Sequence, residues 1–298
     1  TALANAFYSG SPVLVLAGRS PINSNEKSPL QEMNHLEFVR PVTKWAGTVY
    51  EAKRIPEYIS IAFRHALAGR PGPVLLELPM DILDAPVREG EVVFPDPARS
   101  RTSSAVPGNP ELVRKAAELL RKAERPALIA GNTVYWSQAA DELKRFIETL
   151  QAPIYLNGMG RGCISQDHPL FFIYSRRFAF SQADVALLIG TAMDFRLNYG
   201  QPPFFHPDTR VIQIDIDQTE IGHNRPVDVG IMGDAKEVIR QLLAELNSAG
   251  TKNRSGWLKK VRGHERHKEQ GFLSFLNSDA TPIHPLRLLK EVRDFLNP

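Results

Sequence analysis

ALIAG (127–131), PIYLN (153–157), VALLIG (185–190) and VIQIDID (211–217) are apolar runs of strand length, each closed by Gly, Asn or Asp. Uninterrupted apolar runs bounded by turn residues read as strands buried on both faces of a sheet. Between them lie stretches of helical period. Asn109 sits as an N-cap before Pro110, opening a helix to about residue 123; a second helix covers 137–150, and VGIMG (229–233) leads into a third over 235–247. Strands alternating with helices make βαβ units around a parallel sheet with right-handed crossovers. Residues 110–250 therefore predict a complete doubly wound, Rossmann-like α/β domain.

Working outward, residues 1–83 give a shorter version of the same pattern. A helix over 1–9 feeds a strand in PVLVLAG (12–18), and a polar loop carrying Gln31 and Glu32 follows. Ile55, Ile59, Ala62, Phe63 and Ala66 share one face of a helix, which the RPGP turn stops before a strand over 73–78. Two strands and two or three helices are too few to cover a sheet, so 1–83 reads as part of a domain. Residues 84–109 lose periodicity and turn rich in Pro, Ser, Arg and Gly, as an interdomain linker does. Residues 251–281 read as a charged, partly helical connector, and TPIHPL introduces a last helix over 285–296. The chain opens without Met inside TALANAFYSG and ends as a helix completes, so we expect a piece of a longer protein.

Composition narrows the function classes. With 298 residues, 43% hydrophobic and 23% charged, the chain has an ordinary globular balance and length for two domains. A net charge of +3 and no long Lys/Arg run argue against a nucleic-acid partner. The densest basic patch, LKKVRGHERHK (258–268), reads as a solvated helix face. The one cysteine, Cys163, excludes an internal disulfide and suits a reducing, cytoplasmic setting. Lacking a His/Asp arrangement, it reads as a small structural residue rather than a nucleophile. The eight histidines show no metal-ligand spacing, and no apolar run reaches membrane-spanning length.

Small or acidic residues follow each strand of the larger domain. Gly131 and Asn132 follow the first, Asn157, Gly158, Gly160 and Gly162 the second, Gly190 and Thr191 the third. Asp215 and Asp217 close the fourth, and Asp234 follows the fifth. Glycines let backbone approach a phosphate, and a strand-end carboxylate accepts from ribose hydroxyls, which together describe an adenine-nucleotide crevice. The alternative is that the glycines end strands and the acids face water. GMGRG (158–162) is not the Gly-x-Gly-x-x-Gly fingerprint, and no P-loop is present. Arg196, two residues after Asp194, either clamps a phosphate or pairs with that carboxylate. Gln31 offers a donor and an acceptor to a substrate carbonyl, or is an ordinary loop amide. Lys44 binds an anion or is a surface lysine.

GSPVLVLAG, LQE, RPVTKWA, IPEYISIAFRHALAGRPGPVLLELPMD, GMGRG…DHPL, ADVALLIGTAMDFRLNYG and VIQIDIDQTEIGHNRPVDVGIMGDA together resemble the thiamine-diphosphate-dependent acetolactate synthase family. Within it, the acetolactate-synthase-like proteins and the 2-hydroxyacyl-CoA lyases look most similar. The resemblance runs through essentially the whole chain in order. It implies that 1–83 is the C-terminal half of a pyrimidine-binding domain and 84–109 a linker. It makes 110–250 the central domain, 251–281 a connector and 282–298 the start of a diphosphate-binding domain. It also implies that the family's catalytic glutamate lies before Thr1 and its Mg²⁺-holding segment after Pro298, so that this chain alone is inactive.

By the same resemblance, Gln31 matches a glutamine beside the reacting centre and Lys44 a lysine near the substrate entrance. Gly131, Asn132, Gly190, Thr191, Asp194, Arg196, Asp215, Asp217 and Asp234 match positions around FAD, or around ADP in the CoA-handling relatives. One position departs: the family's Gly-Ala-Arg-Phe-Asp-x-Arg is GTAMDFR here, with Ala192 in place of the first Arg, which removes a cation from the FAD pyrophosphate.

The expected parent is a thiamine-diphosphate- and Mg²⁺-dependent carboligase or lyase. It would act on a 2-keto acid, with 2-hydroxyacyl-CoA cleavage and keto-acid decarboxylation as alternatives, and assemble as a homo-dimer or homo-tetramer. A non-catalytic FAD- or ADP-binding module is the rival from another class. A nicotinamide-dependent oxidoreductase is disfavoured by the missing fingerprint and by the lack of a hydride-site His or Lys.

Overall fold

Each apolar run becomes a strand of one of two parallel sheets. In the computed structural model, which describes residues 1–30, 32–247 and 252–296, these sheets belong to two units, Thr1–Val106 and Pro107–Pro298.

The first unit runs α1 (Ala2–Tyr8), β1 (Leu14–Arg19), α2 (His35–Val39), β2 (Trp45–Thr48), α3 (Ile55–Leu67), β3 (Val74–Pro79), α4 (Met80–Leu83) and α5 (Pro97–Ser100). Its strands pair in the order β1-β3-β2, all parallel. Val74, Leu75 and Leu76 are buried on the central strand, and Ala62 and Ala66 of α3 pack onto Val74.

The sequence reading finds two strands here; the sheet has three. β2 escapes because WAGT is only four residues long, lies at an edge and shows no apolar run. Gly47 is part of the reason it fits: a Cβ there would lie 2.5 Å from the Trp45 ring. Residues 84–106, compositionally linker-like, carry a single turn at Glu89–Glu91 and α5, which packs on α3 within the same unit.

The second unit contains β4 (Pro126–Ala130), β5 (Ile154–Leu156), β6 (Val185–Ile189), β7 (Arg210–Asp215) and β8 (Val229–Met232) in the order β5-β4-β6-β7-β8, all parallel. Its helices are α6 (Pro110–Lys122), α7 (Asn132–Trp136), α8 (Ala140–Leu150), α9 (Arg176–Gln182) and α10 (Ala235–Asn247). The doubly wound parallel sheet is the one expected. Asn109 caps α6 as its sequence suggests, its Oδ1 accepting from the Glu111 and Leu112 N–H groups at 2.9 and 3.3 Å. The helix expected over 137–150 begins at Ala140 instead. Gln138 takes a left-handed φ of 52°, which breaks the chain between α7 and α8.

After residue 252 come α11 (Ser255–Gln270), α12 (Leu273–Leu276) and α13 (Pro285–Leu296); the boundary expected at 250/251 lies outside the described residues. α11 is bound to the core more firmly than its charge suggests. Trp257, Leu258 and Val261 are buried in it, and Trp257 Nε1 donates to the Pro126 carbonyl at 2.9 Å. The buried Arg254 guanidinium donates to the carbonyls of Leu120 (2.7 Å), Ala123 (3.1 Å) and Leu150 (2.6 Å). These carbonyls are the negative ends of α6 and α8, where a cation is stabilising.

Candidate functional site

Counted from β4, the larger sheet has the order 2-1-3-4-5, one of the two common doubly wound arrangements. The order in which strands are added reverses between β4 and β6, and ligands of such sheets bind outside the carboxyl ends of the strands at that point. Gly131 and Gly190 end those two strands and extend the ladder by one residue. The Gly131 N–H donates to the Ile189 carbonyl at 2.9 Å, and the Gly190 N–H to the Ile214 carbonyl at 2.8 Å.

Both glycines are dictated by crowding. A Cβ on Gly131 would lie 2.5 Å from the Gly190 oxygen, and one on Gly190, whose φ is +58°, would strike Thr133 Oγ1. Asn132 spans to the next loop, where its Oδ1 accepts the Met159 N–H at 2.7 Å. Asn157 Nδ2 reaches Thr191 Oγ1 at 3.4 Å. Thr133 Oγ1 and Trp136 Nε1 are buried here with no hydrogen-bond partner among the described residues.

The remaining expected residues reach the same edge of the sheet but are engaged in local bonds. Asp194 Oδ1 accepts the Arg196 N–H at 2.9 Å, and the Arg196 guanidinium folds back onto the same carboxylate at 3.0 Å. The buried Asp215 accepts the Asp217 N–H at 2.9 Å, and Asp217 accepts from the Thr219 N–H and hydroxyl at 3.0 and 2.7 Å. Asp234 caps α10, accepting from the Lys236 and Glu237 N–H groups at 2.9 and 3.3 Å. Burial pushes the Cys163 thiol up, away from the thiolate.

In the first unit, Gln31 lies outside the described residues. Glu32 closes its own loop, accepting the Glu26 and Ser28 N–H groups at 2.6 and 3.2 Å. Lys44 Nζ donates to the carbonyls of Ala68 and Arg70, the latter at 2.8 Å, at the end of α3.

What the sequence reading misses is Glu77, almost wholly buried at 1% exposure on the central strand. Oε2 accepts from Arg19 Nη1 at 3.2 Å and from Thr48 Oγ1; Oε1 lies 2.8 Å from His35 Nδ1. With the carboxylate accepting, Nδ1 carries a hydrogen and Nε2 is left outside the network. Arg19 and Thr48 end β1 and β2, so the cluster occupies the carboxyl end of this parallel sheet. The available signal is an acid inside the continuous apolar run PVLLELP, since a buried charge requires partners.

The family model for the thiamine pyrophosphate enzyme central domain matches residues 113–242. A probable acetolactate synthase large subunit of Methanocaldococcus jannaschii is 34% identical over 307 residues, covering 100% of this chain and 51% of the relative. An oxalyl-CoA decarboxylase of Escherichia coli K12 is 32% identical over 99% of this chain and 53% of its own length. A 2-hydroxyacyl-CoA lyase of Arabidopsis thaliana is 28% identical over 98% of this chain and 52% of its own. Residues 113–242 are a thiamine pyrophosphate enzyme central domain. The chain spans about half the length of the curated relatives it matches. This central-domain match falls within the five-stranded unit and includes Gly131, Asn132, Gly190, Thr191, Asp194, Arg196, Asp215, Asp217 and Asp234. Gln31 and Lys44 fall outside that match but inside the stretch aligned with the three relatives.

Proposed function

We propose that this chain works in a thiamine-diphosphate-dependent enzyme that makes or breaks a carbon–carbon bond next to a carbonyl. Its substrate would be a 2-keto acid or an acyl-CoA. The supporting observation is the similarity running through essentially the whole chain to a probable acetolactate synthase, an oxalyl-CoA decarboxylase and a 2-hydroxyacyl-CoA lyase at once. When bound, thiamine diphosphate supplies a nucleophilic carbon that adds to a carbonyl and takes up the electron pair of the broken bond. Among the described residues, no group of three His, Cys, Asp or Glu side chains is placed to hold a metal ion; Mg²⁺ is proposed from the resemblance alone.

The contribution of the first unit rests on His35. Glu77 fixes its ring through the Nδ1 hydrogen, which leaves the Nε2 lone pair as the proton-accepting atom at the carboxyl end of the sheet. The test is to assay the protein containing this chain, with thiamine diphosphate and Mg²⁺, on pyruvate, oxalyl-CoA and a 2-hydroxyacyl-CoA. Turnover of one substrate with carbon–carbon bond chemistry is expected; no turnover of any of the three overturns the reading. His35→Gln should lower kcat while leaving KM near its original value.

For the larger unit we propose an adenine nucleotide, ADP or the adenylate of FAD, at the β4/β6 switch point. The topology and the unpartnered Thr133 hydroxyl beside Gly190 favour it. The pyrophosphate grip fits less well, since Ala192 replaces a cation and Arg196 is folded onto Asp194. ADP should therefore bind with FAD no tighter, by calorimetry on the chain; binding of neither removes the proposal. A homo-dimer or homo-tetramer is proposed as well, to be read by light scattering.

A further inference from the structure

We propose that the groove between α8, the turn at 168–170 and α11 is a binding site for a small, phosphate-bearing polyanion. It lies away from the switch point and does not depend on the catalytic reading. The basic patch of α11 resolves into distinct faces. Trp257, Leu258 and Val261 enter the core. Glu265 turns inward to accept the backbone N–H groups of Ile173, Tyr174 and Ser175 at 2.7–3.1 Å. Lys259, Arg262 and Arg266, three and four residues apart, fall on a further side and line a groove of about 760 Å³ with Lys144 and His168.

The groove is electrostatically one-sided. Four cations line it against one carboxylate, Glu148, and that carboxylate is already engaged. His168 Nδ1 accepts the Leu170 N–H at 3.2 Å, so its hydrogen is on Nε2, 3.2 Å from Glu148 Oε1. Lys144, Lys259 and Arg266 have no carboxylate within 4.0 Å among the described residues. Arg262 is fixed at the wall by its Nη2, which donates to the Pro169 carbonyl at 2.9 Å. α11 holds five basic and two acidic side chains, an excess that matches the net +3 of the whole chain. Clefts lined by one sign of charge focus the field on a counter-ion.

A second feature points to an occupant. Gly263 stands in the middle of a 16-residue helix, where glycine is unfavourable. No neighbour requires it, because a Cβ built there meets nothing within 4 Å. What glycine does is leave the groove wall bare between Arg262 and Arg266. The volume falls in the range of small-molecule sites, and among the described residues no Phe, Tyr or Trp ring lines it to stack a base. Two Arg forks and two Lys point charges are the donors that phosphate oxygens call for.

The probe is inorganic pyrophosphate, titrated into the chain by calorimetry at low and moderate salt. Saturable one-to-one binding that weakens with salt is expected. Lys259→Glu and Arg266→Glu should each weaken it at least tenfold. Gly263→Leu, which fills the groove without changing charge, should do the same. Lys260→Glu makes the same charge change on α11 outside the groove and should shift the affinity less than twofold; circular dichroism checks that each variant stays folded. Absence of saturable binding overturns the proposal. So does equal loss in Lys260→Glu, which would reveal diffuse attraction, and so does binding of an oligo-glutamate peptide without pyrophosphate, which would reveal a protein-docking face.

Discussion

The two units use the same construction, a parallel sheet with helices, but only one of them covers it. In the second unit every residue of β4 and β6 is buried, and one apolar cluster runs from Val113 on α6 to Val261 on α11. In the first, the buried cluster is Ala62, Ala66 and Val74, with Leu14, Trp45 and Leu67 packed at its edge. Leu16 of β1 is 54% exposed and Phe94 77% exposed, whereas Leu128 and Leu187 in the second unit are at 0%. Five strands with five or more helices close a core. Three strands resting on α3 leave apolar surface that a stable monomeric domain does not show.

The largest expected effect follows directly. Produced separately, residues 107–298 should unfold in one cooperative urea transition, and residues 1–106 should bind a hydrophobic dye and melt without a sharp transition. A cooperative transition in the shorter piece would break the comparison. Point substitutions sharpen it. Leu187→Ala on β6 should cost about 2–5 kcal/mol, the usual range for a fully buried leucine. Leu16→Ala on β1 should cost about 0.5 kcal/mol or less, as exposed positions do. Urea midpoints at constant slope would read both.

Each unit also buries a glutamate, and the surroundings differ. Glu77 sits at the carboxyl ends of strands among Arg19, His35 and Thr48. Glu142 joins two helices, accepting from Arg240 of α10 at 2.9 and 3.2 Å. Burial pushes the Glu142 carboxyl up, but its own backbone N–H, the Arg240 guanidinium and the Lys236 charge outweigh this and hold it below the ordinary value of 4.5. A group lowered in the fold contributes stability above its unfolded value and loses it as pH falls through the folded one. Glu142→Gln should therefore cost about 1–2 kcal/mol at neutral pH, discounted for the half-exposed Arg240. The gap to the unmodified protein should close as pH drops below 4.5. A gap that persists into acid would mean the carboxylate charge is not what matters.

The difference in coverage also decides what the sequence made legible. ALIA and VALLI are continuous apolar runs because both faces of their sheet are covered, so pattern alone located β4 and β6 and with them Gly131 and Gly190. WAGT lies at the edge of a sheet that is barely covered, so little selects for an apolar run and β2 went unread. The Glu77 cluster assembles Arg19, His35 and Thr48 from positions 58, 42 and 29 residues away, and no local spacing encodes that. Asp194, Asp217 and Asp234 were legible as strand-end acids, but type and position do not tell a ligand contact from a backbone cap. That distinction exists only in the geometry.

Asp234 is where the two roles separate most cleanly, with the smallest effect. Its Oδ1 accepts from the Lys236 and Glu237 N–H groups at the first turn of α10. Asparagine keeps that acceptor and removes the charge, whereas alanine removes both. If the residue is a cap, Asp234→Ala should cost about 1 kcal/mol and Asp234→Asn a few tenths, with ADP affinity unchanged in both. If it is a ribose ligand, Asp234→Asn should weaken ADP severalfold at unaltered stability. Thermal melts with and without ADP read both quantities on one sample. We expect the cap: the two N–H bonds already use the acceptor, and an α10 that starts correctly is what presses Val238 and Leu242 into the closed core the first unit lacks.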